Sequence, residues 1–123
     1  MIAAVALALA PANFPAATPL TIEQVRADPR RWDGKWVRVR GFVHRCSALD
    51  CVLAERPGNQ GMFLSFAAAP SFDAWIAPQL PAEVEVTARI DASCLINVCT
   101  DRAPVLQQVY VETIAANISP KDQ

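Results

Sequence analysis

The chain has 123 residues, which is enough for one domain but too few for a multidomain enzyme. Its hydrophobic content of 53% supports a packed core and excludes a disordered chain. Eleven basic and twelve acidic side chains give a net charge of −1, so no overall field attracts the protein to nucleic acid or to an anionic membrane.

An apolar segment opens the chain. Residues 1–10 carry no charge, and the first charged side chain is Glu23. A transmembrane helix needs about 20 residues, so this segment is too short to form one. It resembles the apolar region of a secretory signal, although the basic residues that usually precede such a region are missing. We therefore expect residues 1–17 to form a signal peptide, with a plain Ala/Pro-rich extension as the alternative, and we expect no transmembrane segment.

The four cysteines occur in two identical spacings. Cys46 and Cys51 form one C-x4-C pair, and Cys94 and Cys99 form the other. An even number of cysteines suits two disulfides in an oxidising compartment, which predicts a periplasmic or secreted protein. Sequence alone leaves the connectivity open, and we favour pairing within each short segment because each pair would then close one connection between strands.

A short helix is predicted after residue 20. Thr21 and Gln24 have the spacing of a capping box, and Leu20 and Val25 that of a hydrophobic staple. The helix should end before Pro29, since a proline disfavours the helical conformation of the residue that precedes it.

The period of the pattern then changes to two. The segment 35–45 alternates so that Val37, Val39 and Val43 share one face, which predicts a half-buried strand. Gly41 lies inside this strand, where a glycine often marks a bulge or a sharp bend.

Four further strands and a second helix are predicted. The strands lie at residues 51–55, 62–67, 83–90 and 105–114. The helix follows Pro70, with Ser71 as its expected N-cap and with Phe72, Trp75 and Ile76 on one face.

Five strands with a helix between the third and fourth are the element order of an all-β, five-stranded, OB-like Greek-key barrel. The motif D-G-K-x-V-x-V-x-G at residues 33–41, followed by a strand such as 83–90, resembles small exported bacterial OB-fold proteins. The resemblance covers about residues 20–115 and implies the same fold. We assign residues 18–116 to this domain and residues 117–123 to a polar C-terminal tail.

The loops between the first and second strands and between the fourth and fifth strands flank the ligand-binding face of an OB barrel. Both cysteine pairs fall in these loops, so we expect both segments to emerge at the same end of the barrel and to form rigid rims. The candidate binding residues on and around this face are Arg38, Arg40, Phe42, His44, Phe63, Leu95 and Ile96.

Two features of these loops and strands have competing interpretations. Apolar side chains at the loop tips, Leu49 in the first and Leu95, Ile96 and Val98 in the second, either fold back onto the barrel or form a contact surface. Arginine alternates with aromatic residues on the first strand, a pattern that single-stranded nucleic acid binding uses. We expect acidic residues of the later strands to neutralise this face: Glu83, Glu85 and Glu112.

We find no constellation of residues that predicts catalysis or a bound cofactor. His44 lies two residues before Cys46, but a disulfide would remove the nucleophile from such a pair. The prediction is therefore a monomeric, non-enzymatic exported module that binds a protein, a peptide or a small anionic ligand. The alternatives are a four-cysteine redox or zinc protein, which lacks the stronger C-x2-C spacing, and a single-stranded nucleic-acid-binding OB domain.

Overall fold

A computed structural model of the chain describes residues 16–47, 50–99 and 104–118. The predicted signal peptide at 1–17 and the loop-tip residue Leu49 therefore lie outside the described residues, apart from positions 16 and 17. No helix within the described ranges combines the length and the apolar character needed to cross a membrane.

The fold is a closed five-stranded barrel extended by two short strands. The strands are β1 (Thr18–Leu20), β2 (Trp36–Val43), β3 (Cys46–Ser47), β4 (Asp50–Arg56), β5 (Gln60–Ala67), β6 (Ala82–Ile90) and β7 (Leu106–Ala115). The predicted first to fifth strands correspond to β2, β4, β5, β6 and β7. Their order around the barrel is β2-β6-β7-β5-β4, and a pairing between β2 and β4 closes the ring. This arrangement confirms the predicted all-β, OB-like fold.

Two pairings determine where the loops leave the barrel. Strand β2 runs antiparallel to β6 along its whole length, with Trp36 opposite Arg89 and Val43 opposite Ala82. Strands β5 and β7 are parallel, and Phe66 pairs with Leu106. A parallel pair cannot be joined by a tight hairpin, so the helical segment and β6 lie between them in the chain.

The helices are short. They are α1 (Ile22–Ala27), α2 (Pro29–Trp32), α3 (Pro70–Ile76) and α4 (Ser93–Ile96), and a 3₁₀ turn (Ala77–Gln79) continues α3. The predicted capping box at the start of α1 is present, because Thr21 and Gln24 exchange backbone-to-side-chain hydrogen bonds of 2.9 and 3.0 Å. Asp28 has a non-helical backbone and ends α1, as predicted from Pro29, but Pro29 then occupies the first turn of α2, which we did not predict.

The core is formed by the inward faces of the strands. Val37, Val39 and Val43 are fully buried, as the alternating pattern predicts. The predicted inward residues of β6 are buried as well: Val84, Val86, Ala88 and Ile90. The residues Ile22 and Val25 of α1 belong to the same core, so α1 packs against the barrel.

Close packing explains the glycine at position 41, and no bulge is involved. The register between β2 and β6 is continuous through this position. A Cβ atom on Gly41 would lie 2.7 Å from Cγ of Leu53 and 2.8 Å from the carbonyl oxygen of Ala54. The missing side chain therefore lets β4 approach β2 where the barrel closes.

The second helix differs from its prediction in two respects. Its N-cap is Ala69, and Ser71 is not the cap, because Pro70 occupies the first helical position and the helix begins one residue earlier. Ile76 is buried and Phe72 packs against the core, but Trp75 is 46% exposed. The common apolar face predicted for this helix is thus only partly directed inward.

Candidate functional site

Both disulfides form within their own segments, as predicted. Cys46 pairs with Cys51, and Cys94 pairs with Cys99. The first pair lies directly across the short ladder between β3 and β4. The second pair spans α4 and the residues that follow it.

The expectation that both disulfide segments emerge at one end of the barrel is wrong. The first segment leaves β2 after Val43, and the second leaves β6 after Ile90. These two points are at opposite ends of the β2–β6 ladder, because the strands are antiparallel. Both segments nevertheless return to the sheet beside Phe66, which pairs with Cys51 on one side and with Leu106 on the other. The two segments therefore leave opposite ends of the β2–β6 ladder but meet the sheet again near the same end of β5.

Hydrogen bonds fix the start of the second segment. The backbone N–H of Ala92 donates to Oδ1 of Asp33 at 2.9 Å, which ties the segment to the turn before β2. The hydroxyl and the backbone N–H of Ser93 both donate to Oδ1 of Asp91, at 2.6 and 3.1 Å. These hydrogen bonds from Ser93, together with the charge of Arg89, lower the pKa of Asp91 below its usual value of 3.8. The carboxylate form of Asp91 therefore helps to hold the segment in place.

A cavity of about 590 Å³ lies between the second segment and the outer surface of β4 and β5. One wall consists of the disulfide Cys94–Cys99 and the apolar residues Leu95, Ile96 and Val98. The floor is formed by outward-facing residues of the two strands: Val52, Phe63 and Ser65. The N–H of Val105 donates to the Ser65 hydroxyl at 3.1 Å, so the end of the segment is anchored to the floor.

A single arginine borders this cavity. The guanidinium of Arg26, on α1, lies 5.6 Å from the centre of the Phe63 ring, and its Nη1 donates to the carbonyl oxygen of Phe63 at 2.9 Å. No carboxylate among the described residues forms an ion pair with Arg26. An aromatic ring and a carbonyl group thus hold its positive charge in place, and no acid in the described parts of the chain pairs with it.

The predicted arginine face lies elsewhere on the barrel. Arg38 and Arg40 are on the outer surface of β2, and both contact the carboxylate of Glu85 on β6, at 3.8 and 3.2 Å. The expected neutralisation is therefore present for Glu85, whereas Glu83 and Glu112 form no ion pair within the described parts of the chain. Exposed ion pairs of this kind contribute about 0–1 kcal/mol to stability.

The predicted binding residues thus do not form one site. Phe63, Leu95 and Ile96 line the cavity together. Arg38 and Arg40 are on the paired face of β2, while Phe42 and His44 are at the far end of that strand, where Phe42 pairs with Ala54. None of these four residues lines the cavity.

Sequence reasoning missed Arg26. It lies in the last turn of α1, where a basic residue is ordinarily explained by the partial negative charge of a helix C-terminus. Its contact with Phe63 joins residues 37 positions apart, and no local pattern indicates that contact.

Comparisons with known proteins give little further information. No protein-family model and no curated protein sequence matches the chain. Among solved structures, the chain is similar to a protein described as an aspartyl-tRNA synthetase from Leishmania major Friedlin, with 14% sequence identity and a TM-score of 0.48. The likeness covers 85% of this chain and 22% of that protein, so this chain spans about a fifth of the length of that match.

Proposed function

We propose that the protein is a non-enzymatic binding module and that its site is the cavity between the Cys94–Cys99 segment and the outer face of β4 and β5. The observation that carries this proposal is the pairing of Arg26 with Phe63. Phe63 is 46% exposed at the cavity, directly beneath a guanidinium that has no acidic partner among the described residues. An exposed aromatic ring next to an unneutralised cation is an arrangement suited to a ligand.

Of the three partner classes that we considered, a small anionic ligand with an apolar body fits the cavity best. A volume of about 590 Å³ is within the range of about 300–1,000 Å³ for small-molecule sites. The apolar walls would contact the body of the ligand, and Arg26 would bind a carboxylate, sulfonate or phosphate group. A ligand with one negative charge therefore complements both features.

The two disulfides support an exported location, since they form and persist in oxidising compartments. This location, periplasmic or secreted, remains part of the proposal, as does the relationship to small exported bacterial OB-fold proteins. In that setting the Cys94–Cys99 bond would keep the cavity wall in place before the ligand arrives. Such preorganisation lowers the conformational cost of binding.

The two alternative functions have less support. Single-stranded nucleic acid would need free cations on the face of β2, and Glu85 already pairs with Arg38 and Arg40. A site that uses all four cysteines would need them close together. The cluster of potential metal ligands among the described residues contains Cys46, Cys51 and Asp73 but neither Cys94 nor Cys99.

The proposal can be tested with 8-anilinonaphthalene-1-sulfonate, an apolar anion whose fluorescence rises when it binds. We expect the full chain to bind one equivalent. Replacing Arg26 by glutamine should weaken binding at least fivefold, because the sulfonate loses its cation, and raising the salt concentration should weaken binding to the unchanged protein.

The matched control is Arg30→Gln, which removes an exposed arginine on α2 that does not line the cavity. This variant should bind the probe like the unchanged protein. Equal affinity in all three proteins would show that the probe binds elsewhere and would contradict the proposal. Recovery of a stoichiometric protein partner from the native envelope fraction, bound in an Arg26-independent manner, would also contradict it.

A further inference from the structure

The first disulfide lies beside a carboxylate that the proposed binding site does not use. Asp73, on α3, places a carboxylate oxygen near the sulfurs of Cys46 and Cys51, and the three potential ligand atoms all lie within 4.8 Å of one another. Cys51 is 1% exposed and Cys46 is partly buried, so the group is sheltered but can be reached from the side of Cys46.

Asp73 also has an unusual hydrogen-bonding state. Within residues 16–47, 50–99 and 104–118, its Oδ1 atom is the single buried side-chain nitrogen or oxygen without a hydrogen-bond partner. A buried acceptor without a donor is energetically costly, and such an atom calls for an explanation. A disulfide has no hydrogen to donate, whereas two thiols or a bound cation would give the Asp73 carboxylate a partner.

We propose that Cys46, Cys51 and Asp73 form a redox-controlled zinc site, which is closed while the disulfide is intact and opens when the disulfide is reduced. Two thiolates and one carboxylate are ligands that Zn²⁺ accepts, and they would leave a fourth position for water. In tetrahedral zinc sites with Zn–S bonds of about 2.3 Å, the sulfur atoms are about 3.8 Å apart. This separation is smaller than the 4.8 Å within which the three potential ligand atoms lie.

A dithiol can supply the reduction step. Its thiolate attacks Sγ of Cys46, the more accessible sulfur, and the electron pair of the broken bond leaves on Sγ of Cys51, which takes up a proton. The second thiol of the reductant then breaks the mixed disulfide, so that Cys46 is released as a thiol and the reductant becomes a disulfide. When Zn²⁺ binds, the two thiol protons pass to water and both cysteines bind as thiolates.

The site does not depend on the proposed ligand cavity, since none of its three residues lines that cavity. The second disulfide provides an internal comparison. No described carboxylate or histidine forms a comparable cluster with Cys94 and Cys99. Metal binding is therefore expected at one of the two cysteine pairs and not at the other, although both have the same spacing.

The test uses the full chain reduced with a phosphine, which adds no competing thiol, and titrated with Co²⁺ as a spectroscopic substitute for Zn²⁺. We expect one equivalent to bind with the intense near-ultraviolet absorption of cobalt–thiolate bonds, and Zn²⁺ to displace it. The oxidised protein should bind none. Asp73→Asn, which keeps the size of the side chain, should weaken binding at least tenfold, whereas the Cys94→Ala/Cys99→Ala variant should bind like the unchanged protein.

A second measurement does not depend on the stability of a variant. Zn²⁺ should protect Cys46 and Cys51 of the reduced, unchanged protein from alkylation, while Cys94 and Cys99 react. Protection of Cys94 and Cys99 instead, the absence of cobalt–thiolate absorption, or an Asp73→Asn variant with unchanged affinity would each overturn the inference. Binding of the sulfonate probe at Arg26 is unaffected by any of these outcomes, so the two proposals fail separately.

Discussion

At the level of single residues, the barrel requires glycine at two positions, for two different reasons. Gly41 has no room for a methyl group, because Leu53 and Ala54 of β4 are packed against its Cα atom. Gly34 is different: its surroundings are open, and its φ of +77° is what favours glycine there.

These two glycines give a matched pair of substitutions. We expect Gly41→Ala to lower the free energy of unfolding by about 1–3 kcal/mol, because backbone and core side chains would have to shift. Gly34→Ala should cost about 1 kcal/mol, the penalty of a left-handed backbone for alanine. Urea denaturation followed by circular dichroism measures both. A smaller loss for Gly41→Ala than for Gly34→Ala would show that the approach of β4 to β2 is less tight than described.

Arg26 shows why the binding residues were harder to predict than the core. The pattern of valines in β2 reports burial directly, since alternate residues of a strand face opposite sides. The role of Arg26 comes instead from its contact with Phe63, which depends on how α1 packs on the barrel. No pattern in the sequence around residue 26 indicates that packing.

At the scale of elements, the N-terminal helix is specified by its own residues. Thr21 and Gln24 satisfy each other's backbone N–H groups, and α1 has only six residues, so it relies on this cap and on the burial of Ile22 and Val25. The helix in turn positions Arg26 above Phe63. The cap therefore contributes to the candidate site as well as to stability.

Removal of the cap should have a measurable effect. Thr21→Ala should lower the free energy of unfolding by about 1 kcal/mol, because the N–H of Gln24 loses its acceptor. Thr21→Ser keeps the hydroxyl and should cost little. If both variants were equally stable in thermal denaturation, the cap would not contribute to the fold.

At the scale of the whole molecule, the two disulfides have different structural settings. Cys51 is part of the buried core, whereas neither Cys94 nor Cys99 is. Closing a loop of about six residues should stabilise the fold by about 2 kcal/mol in either case. Loss of the first disulfide additionally leaves a void in the core.

We therefore expect Cys94→Ala/Cys99→Ala to cost about 2 kcal/mol and to leave the barrel folded. Cys46→Ala/Cys51→Ala should cost more, because the cavity in the core adds to the lost cross-link. Urea denaturation of both variants without reductant measures the difference. A thiol count of the unchanged, denatured protein should first give no free thiols, and the reverse order of stability would contradict the assignment of Cys51 to the core.

Local structure could be predicted from the sequence alone. Alternation defined the inward faces of β2 and β6, the capping box placed the start of α1, and the cysteine spacing indicated local disulfides, because each of these signals is carried by neighbouring residues. The element order also indicated the OB-like barrel.

Which distant residues share a surface could be seen only in the folded barrel. It showed that the disulfide segments leave opposite ends of the β2–β6 ladder, that Arg38 and Arg40 face Glu85, and that Arg26 stands over Phe63. These contacts depend on strand direction and on how α1 packs against the barrel. No pattern among neighbouring residues indicates either of them, because the contacting residues are far apart in the chain.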